Sequence, residues 1–135
     1  MANTVNITPL IDGSKVLVYH IYLKSDGATG DLEDEVLLDP KDLGLANEPK
    51  FSIDEILFHF AGFDGWIEFD SGLITDTMIW VLPEGSEAYV DFRSFGGLTD
   101  RSSKLDGTGK ILLNTTGFTS STDHGSIILK VRVKN

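Results

Sequence analysis

The sequence predicts an all-β fold: a single-domain antiparallel β-sandwich, jelly-roll-like, with about nine short strands. Three observations carry that prediction. Apolar residues alternate with a period of two in run after run, whereas the 3.6-residue period of an amphipathic helix is scarce. Turn signals recur every ~8–12 residues, the spacing of sandwiches and small barrels. Fourteen glycines and four prolines fall mostly between the apolar runs, where turns require them. With 135 residues and 41% hydrophobic side chains the chain suits one core, and no linker or repeat divides it. Residues 1–135 are therefore read as one domain.

Thr4–Ile11 reads as the first strand. Lys15–Lys24 is the clearest one: Val16, Val18, His20 and Tyr22 point one way, and Leu17, Tyr19, Ile21 and Leu23 the other. Two apolar faces predict a central strand covered on both sides. Ser25-Asp26-Gly27 closes it with turn residues. Asp34–Leu38 is expected as an edge strand, preceded by acids and stopped by Asp39-Pro40. Asp39–Asn47 is the best helical segment, yet Gly44 limits it to one turn in a loop.

In Lys50–Phe60 the apolar parity switches from Phe51 and Ile53 to Ile56, Phe58 and Phe60. A switch around Asp54-Glu55 predicts a β-bulge, or a strand covered on both faces. Gly62-Phe63-Asp64-Gly65 then reads as a hairpin leading to Gly65–Phe69. Thr75–Leu82 is a compact apolar run ended by Pro83-Glu84-Gly85. Glu87–Phe95 alternates until Gly96-Gly97 breaks it, and Leu98–Thr108 is a polar loop. Lys110–Thr115 and Ser126–Lys134 are the last strands, so the end of the chain is expected to be tied into a sheet.

Charge narrows the function classes. Eleven Lys and Arg against 21 Asp and Glu give a formal net charge of −10, the wrong sign for a nucleic-acid binder. No apolar run approaches the ~20 residues of a membrane-spanning helix, and Met1-Ala2-Asn3-Thr4 lacks a signal-peptide profile. No nucleic acid and no membrane are expected as partners. Residues 1–70 hold 14 acidic and 4 basic side chains, residues 71–135 hold 7 of each. Asp31, Glu33, Asp34 and Glu35 form the densest acidic segment, expected as a solvated surface or a face for a basic partner.

Chemistry-bearing patterns are sparse. With no cysteine there is no disulfide framework, thiolate metal site or cysteine nucleophile. His20 and His59 lie within apolar strands and read as core-edge histidines; His124 follows Asp123 in a polar loop, and the three share no metal-ligand spacing. No GxSxG nucleophile elbow is present, and Gly107-Thr108-Gly109-Lys110 matches only the end of a phosphate loop. Glu55, Glu68 and Asp70 near Trp66 are carboxylates of the type that hydrolyse glycosides. A small sandwich leaves little room for a cleft beside them, and Trp66 and Trp80 lie in apolar runs where filling the core is the default. Neither Asp31, Glu33, Asp34 and Glu35 nor Asp64 and Asp70 follow a calcium-loop pattern. The expectation is no enzyme, no metal and no cofactor. Arg93, Phe95 and Leu98, in an aromatic- and arginine-bearing stretch, are the candidate contact residues of an interface.

Several segments resemble one group of proteins. They are the opening Met-Ala-Asn-Thr-Val-Asn-Ile-Thr, Gly30-Asp31-Leu32 before Val36-Leu37-Leu38-Asp39, and Trp80-Val81-Leu82-Pro83. Asp91-Phe92-Arg93-Ser94-Phe95-Gly96-Gly97-Leu98-Thr99 and Leu112-Leu113-Asn114-Thr115-Thr116-Gly117 complete the set. Together they resemble small virion-associated proteins of tailed bacteriophages, along the whole length of the chain. The resemblance implies a structural protein of the virion, made in the host cytoplasm: a capsid decoration (cement) protein on the outside of the head. Its implied partner is the major capsid protein, with self-association as a dimer or trimer left open. Alternatives are a tail, neck or fibre-associated component, or a glycan-binding sandwich using Trp66, Trp80 or Tyr89.

Overall fold

The computed structural model describes residues 3–12, 16–39, 50–70, 77–85, 87–95, 97–99 and 110–134. Ten strands follow in chain order: β1 (Thr4–Asp12), β2 (Val16–Lys24), β3 (Glu35–Leu38), β4 (Lys50–Ala61), β5 (Asp64–Phe69), β6 (Thr77–Leu82), β7 (Ala88–Asp91), β8 (Leu98–Thr99), β9 (Ile111–Thr116) and β10 (His124–Lys134). They form two antiparallel sheets. The larger has the order β1-β2-β10-β4-β7, with β8 also on β4, and the smaller has the order β3-β9-β5-β6. Leaving out β1 and the short β8, each sheet is a set of four neighbours, and from β2 to β10 the chain crosses from one layer to the other at every step except the β5–β6 hairpin and the β7–β8 step. This is the jelly-roll arrangement expected from the alternating pattern. The segments Asp39–Asn47 and Leu98–Thr108, read as loops, lie outside the described residues from Pro40 and Asp100 onward.

The core forms where the two inner faces meet. Strand β2 contributes Leu17, Tyr19, Ile21 and Leu23, β10 contributes Ile127, Leu129 and Val131, and Ile67, Phe69, Ile111 and Leu113 close over them from the smaller sheet. The other face of β2 departs from expectation. Val16, Val18, His20 and Tyr22 are only half-buried, and no layer covers them among the described residues. β2 is central because β1 and β10 flank its edges.

The parity switch in β4 is a β-bulge. Glu55 pairs with Lys130 and Ile53 with Val131, so Asp54 is the extra residue and Ile53, Ile56, Phe58 and Phe60 all turn inward. The neighbouring strand is interrupted at the same level. β7 ends at Asp91, the Phe92 amide donates to the Asp54 carbonyl at 2.8 Å, and Arg93–Phe95 form one 3₁₀ turn. The chain re-enters as β8 opposite Ser52 and Ile53. Gly97 permits this: its φ is +90°, and a Cβ there would lie 2.1 Å from the Ser52 hydroxyl oxygen. The sequence expectation of one strand over Glu87–Phe95 is corrected accordingly.

The hairpin expected at Gly62-Phe63-Asp64-Gly65 is also corrected. β5 pairs with β6 and β9, not with β4. Phe63 is buried between Phe60 and Phe118, with ring centroids 4.5 Å from each. Its ring is drawn into the core, so the chain crosses from one sheet to the other. Gly62, at φ +94°, makes the corner beside the Asp123 carboxylate, which a Cβ would meet at 2.0 Å.

Carboxylates hold the loops at this end. Asp123 accepts from the Thr119 and Ser120 amides, and Asp64 from the Glu84 amide at 2.6 Å. Asp26 accepts from Thr29 and Ala28; the Thr29 hydroxyl first, then the two amides, hold it at about 2. Asn3 bridges the same loop, donating to the Gly30 carbonyl and accepting from the Asp26 amide. The first strand is thereby pinned at its start.

Candidate docking surface

Cross-strand register assembles the outer face of the larger sheet, because residues directly opposite in an antiparallel pair point to the same side. One row runs His20–Ile128–Leu57–Tyr89, a second Tyr22–Ser126–His59, a third Val18–Lys130–Glu55–Asp91. Leu57, Phe58, His59, Glu87, Ser126 and Ile128 line a shallow, mainly apolar depression of about 180 Å³. His59 is thus exposed on this face and His20 half-buried, instead of both lying at the core edge. His124 begins β10, its Nδ1 3.0 Å from the Thr122 carbonyl.

Beside the depression lies a charged network. Arg93 donates through Nε to Asp91 Oδ1 at 3.0 Å and through Nη2 to Asp91 Oδ2 at 2.8 Å. The same Nη2 lies 3.0 Å from Glu55 Oε1, to which the Tyr89 hydroxyl donates at 2.8 Å. Lys130 Nζ is 3.8 Å from Glu55 Oε2. The Tyr89 ring is 55% exposed, and the bond to Glu55 raises its hydroxyl above the usual 10.0, since ionisation would forfeit it. Arg93, by side chain and then amide, holds Asp91 at about 2 against an ordinary 3.8.

A depressed folded value means that the Asp91 contribution is complete above about pH 3.8 and is lost as pH falls towards 2. Arg93→Gln is expected to move Asp91 titration back towards 3.8. Carboxyl carbon NMR through the acid range checks this, and an unmoved midpoint would disprove the Arg93 account.

Among the expected contact residues, the structure places Arg93 in this network, its preferred carboxylates supplied by its own chain. Leu98 is half-buried and packs against the core. The Phe95 side chain lies outside the described residues. Phe92, from the same stretch, is buried and meets the Trp80 ring edge-on at 5.1 Å.

The acidic segment divides. Glu33 and Asp34 are exposed and Glu35 is half-buried. The Asp31 carboxylate accepts from the Phe118 amide at 2.7 Å and the Thr115 hydroxyl at 3.2 Å, fastening the loop to β9. Among the described residues, no group of three or more His, Asp or Glu side chains is placed to hold a metal ion.

Neither tryptophan is fully buried. Trp66 sits half-buried on the outer face of the smaller sheet, donating to Glu68 Oε1 at 2.6 Å. Asn114 Nδ2 donates to the same oxygen at 2.8 Å. Trp80 is 39% exposed at the sheet edge. Glu55 and Glu68 occupy opposite outer faces of the sandwich, so they cannot flank one glycosidic bond. Sequence reasoning missed the grouping of Tyr89, Glu55 and Lys130 with Arg93. Their spacing in the chain carries no signal of it.

No family model matches the chain, and no curated protein matches it. Among solved structures it is similar to an RmlC-like cupin family protein with a double-stranded β-helix fold from Methanocaldococcus jannaschii. The two are 11% identical over 97% of this chain and 81% of that one, with a TM-score of 0.34. A likeness of that degree carries no argument about what this chain does.

Proposed function

We propose that the chain is a structural protein of a tailed-phage particle, a decoration module that docks on major capsid protein subunits through the outer face of its larger sheet. One observation supports this most. Tyr89, Leu57, Ile128 and Tyr22 share a face with the Arg93–Asp91–Glu55–Lys130 network, and no layer lies over them among the described residues. Aromatic and arginine anchors around an apolar centre are the residue types that concentrate binding energy at interfaces. The resemblance of the sequence to virion proteins names the partner. Binding only to the assembled lattice stabilises it by mass action, and many copies act on subunits already held together. The exposed Glu33 and Asp34 then face solvent or basic capsid loops.

The test is addition of purified protein to pre-assembled, expanded capsids lacking it. Saturable binding and a raised capsid melting temperature are expected, with Tyr89→Ala weakening binding at least about tenfold. Absence of binding would refute the proposal. A second reading, a glycan-binding module, is favoured by the exposed Tyr89 ring beside paired polar groups. Binding of soluble oligosaccharides that Tyr89→Ala abolishes, with none to capsids, would establish it instead.

A further inference from the structure

Among the described residues, the four edges of the two sheets are not equally protected. A free edge offers unpaired backbone groups to any passing strand, and proteins blunt it with charge, brevity or proline. β3 has four residues and follows Glu33 and Asp34; β7 has four and β8 two. β6 has six residues and ends at Pro83. β1 differs. It has nine residues, no charged side chain from Asn3 to Ile11, and a start pinned by Asn3; its one blunting device, Pro9, comes late and leaves the stretch from Thr4 to Thr8 open. It is the fifth strand of a path that faces a four-stranded sheet, so it overhangs the sandwich. Ile7 is 37% exposed, Leu10 and Ile11 each 54%.

We infer that β1 is a self-association edge, pairing antiparallel with β1 of a second copy about a two-fold axis. Charge points to a second copy as the occupant. Two chains of −10 repel wherever their charged surfaces meet, and β1 is a long strip where they approach with no charge on either side. A basic partner, by contrast, would be drawn to the acidic surfaces and not to this neutral one.

Proline fixes the register. Pro9 stands opposite Tyr19 in the β1–β2 ladder and has no amide hydrogen, so its backbone must turn away from β2. By alternation Val5 and Ile7 turn the same way, presenting their N–H and C=O groups to the open edge. A register shift between Pro9 and Ile11 interrupts the regular ladder, which resumes at Ile11 opposite Val18. Centring the axis on Asn6 sets Val5 of each copy opposite Ile7 of the other, so both open amides find a carbonyl. The Val5 and Ile7 side chains, which continue the core-facing side of β2, then cover each other across the axis. The docking faces of the two copies become one continuous surface, although the pairing itself does not depend on the capsid reading.

Sedimentation velocity over about 1–100 µM protein brackets the affinity of so small a contact. A dimer is expected, and it tightens as salt rises to about 0.1 M, where repulsion between the two negative chains is screened. Ile7→Lys should weaken it at least about tenfold while leaving the circular-dichroism spectrum unchanged, since the side chain is partly exposed already. The chain has no cysteine, so Asn6→Cys is a clean probe. Facing Cα atoms at a non-hydrogen-bonded pair lie about 4.5 Å apart, within disulfide reach. Mild oxidation should cross-link Asn6→Cys nearly completely and Ser121→Cys hardly at all. A monomer throughout, an association that survives Ile7→Lys, or equal cross-linking of the two cysteine variants would each overturn the inference.

Discussion

Replacing Phe63 by alanine is expected to cost about 3–5 kcal/mol, the usual penalty for emptying a fully buried aromatic site. Phe63 is the corner where the chain leaves one sheet for the other, wedged between Phe60 and Phe118 at 4.5 Å. Collapse cannot refill the space, because Phe60 is held opposite Gly125 on β10, with no room for even a Cβ there. A domain of this size holds roughly 5–15 kcal/mol in all, so about a fifth or more of the stability goes. Urea unfolding should show a lower midpoint at unchanged slope. A loss under about 1 kcal/mol would mean that the crossing is fastened elsewhere.

Arg132→Met is expected to cost about 2–4 kcal/mol, although the arginine itself is only half-buried. The reason lies in its partner. The Asp54 side chain is 3% exposed, pulled inward by the bulge, and Arg132 Nε sits 2.9 Å from its Oδ1 and 2.8 Å from its Oδ2. Methionine keeps the apolar stem and removes the cation, leaving a buried carboxylate uncompensated. Asp54→Asn added to Arg132→Met should recover part of the loss, since a neutral amide is cheaper to bury. Simple additivity of the two single-variant losses would show that the carboxylate and the guanidinium do not act as a pair.

The bulge was readable in advance because it changes which residues are apolar. Ile53 and Ile56 are three apart, and only an inserted residue puts both on one face of a strand. The alternation of Ile127, Leu129 and Val131 was readable for the same reason. The corner at Phe63 was not. Gly-Phe-Asp-Gly serves equally for a return within a sheet or a step to the next one, and what decides is whether the ring is better buried against Phe118, a residue far along the chain. Arg93 shows the same limit at the candidate surface. Its chemistry was plain from its type, but Asp91 and Glu55, which satisfy it, meet only when β7 pairs with β4.

Local periodicity was enough to indicate a two-layer β fold, because side chains alternate along a strand whatever the strand pairs with. Which faces stay open came from assembly. β2 carries apolar residues on both sides, and nothing in that pattern tells a face that is covered from one that is not. Among the described residues, five strands along one path against four in the other leave β1 overhanging and the outer face of β2, β10 and β4 bare. Coverage depends on what packs opposite, and that is a property of strands brought together from distant parts of the chain.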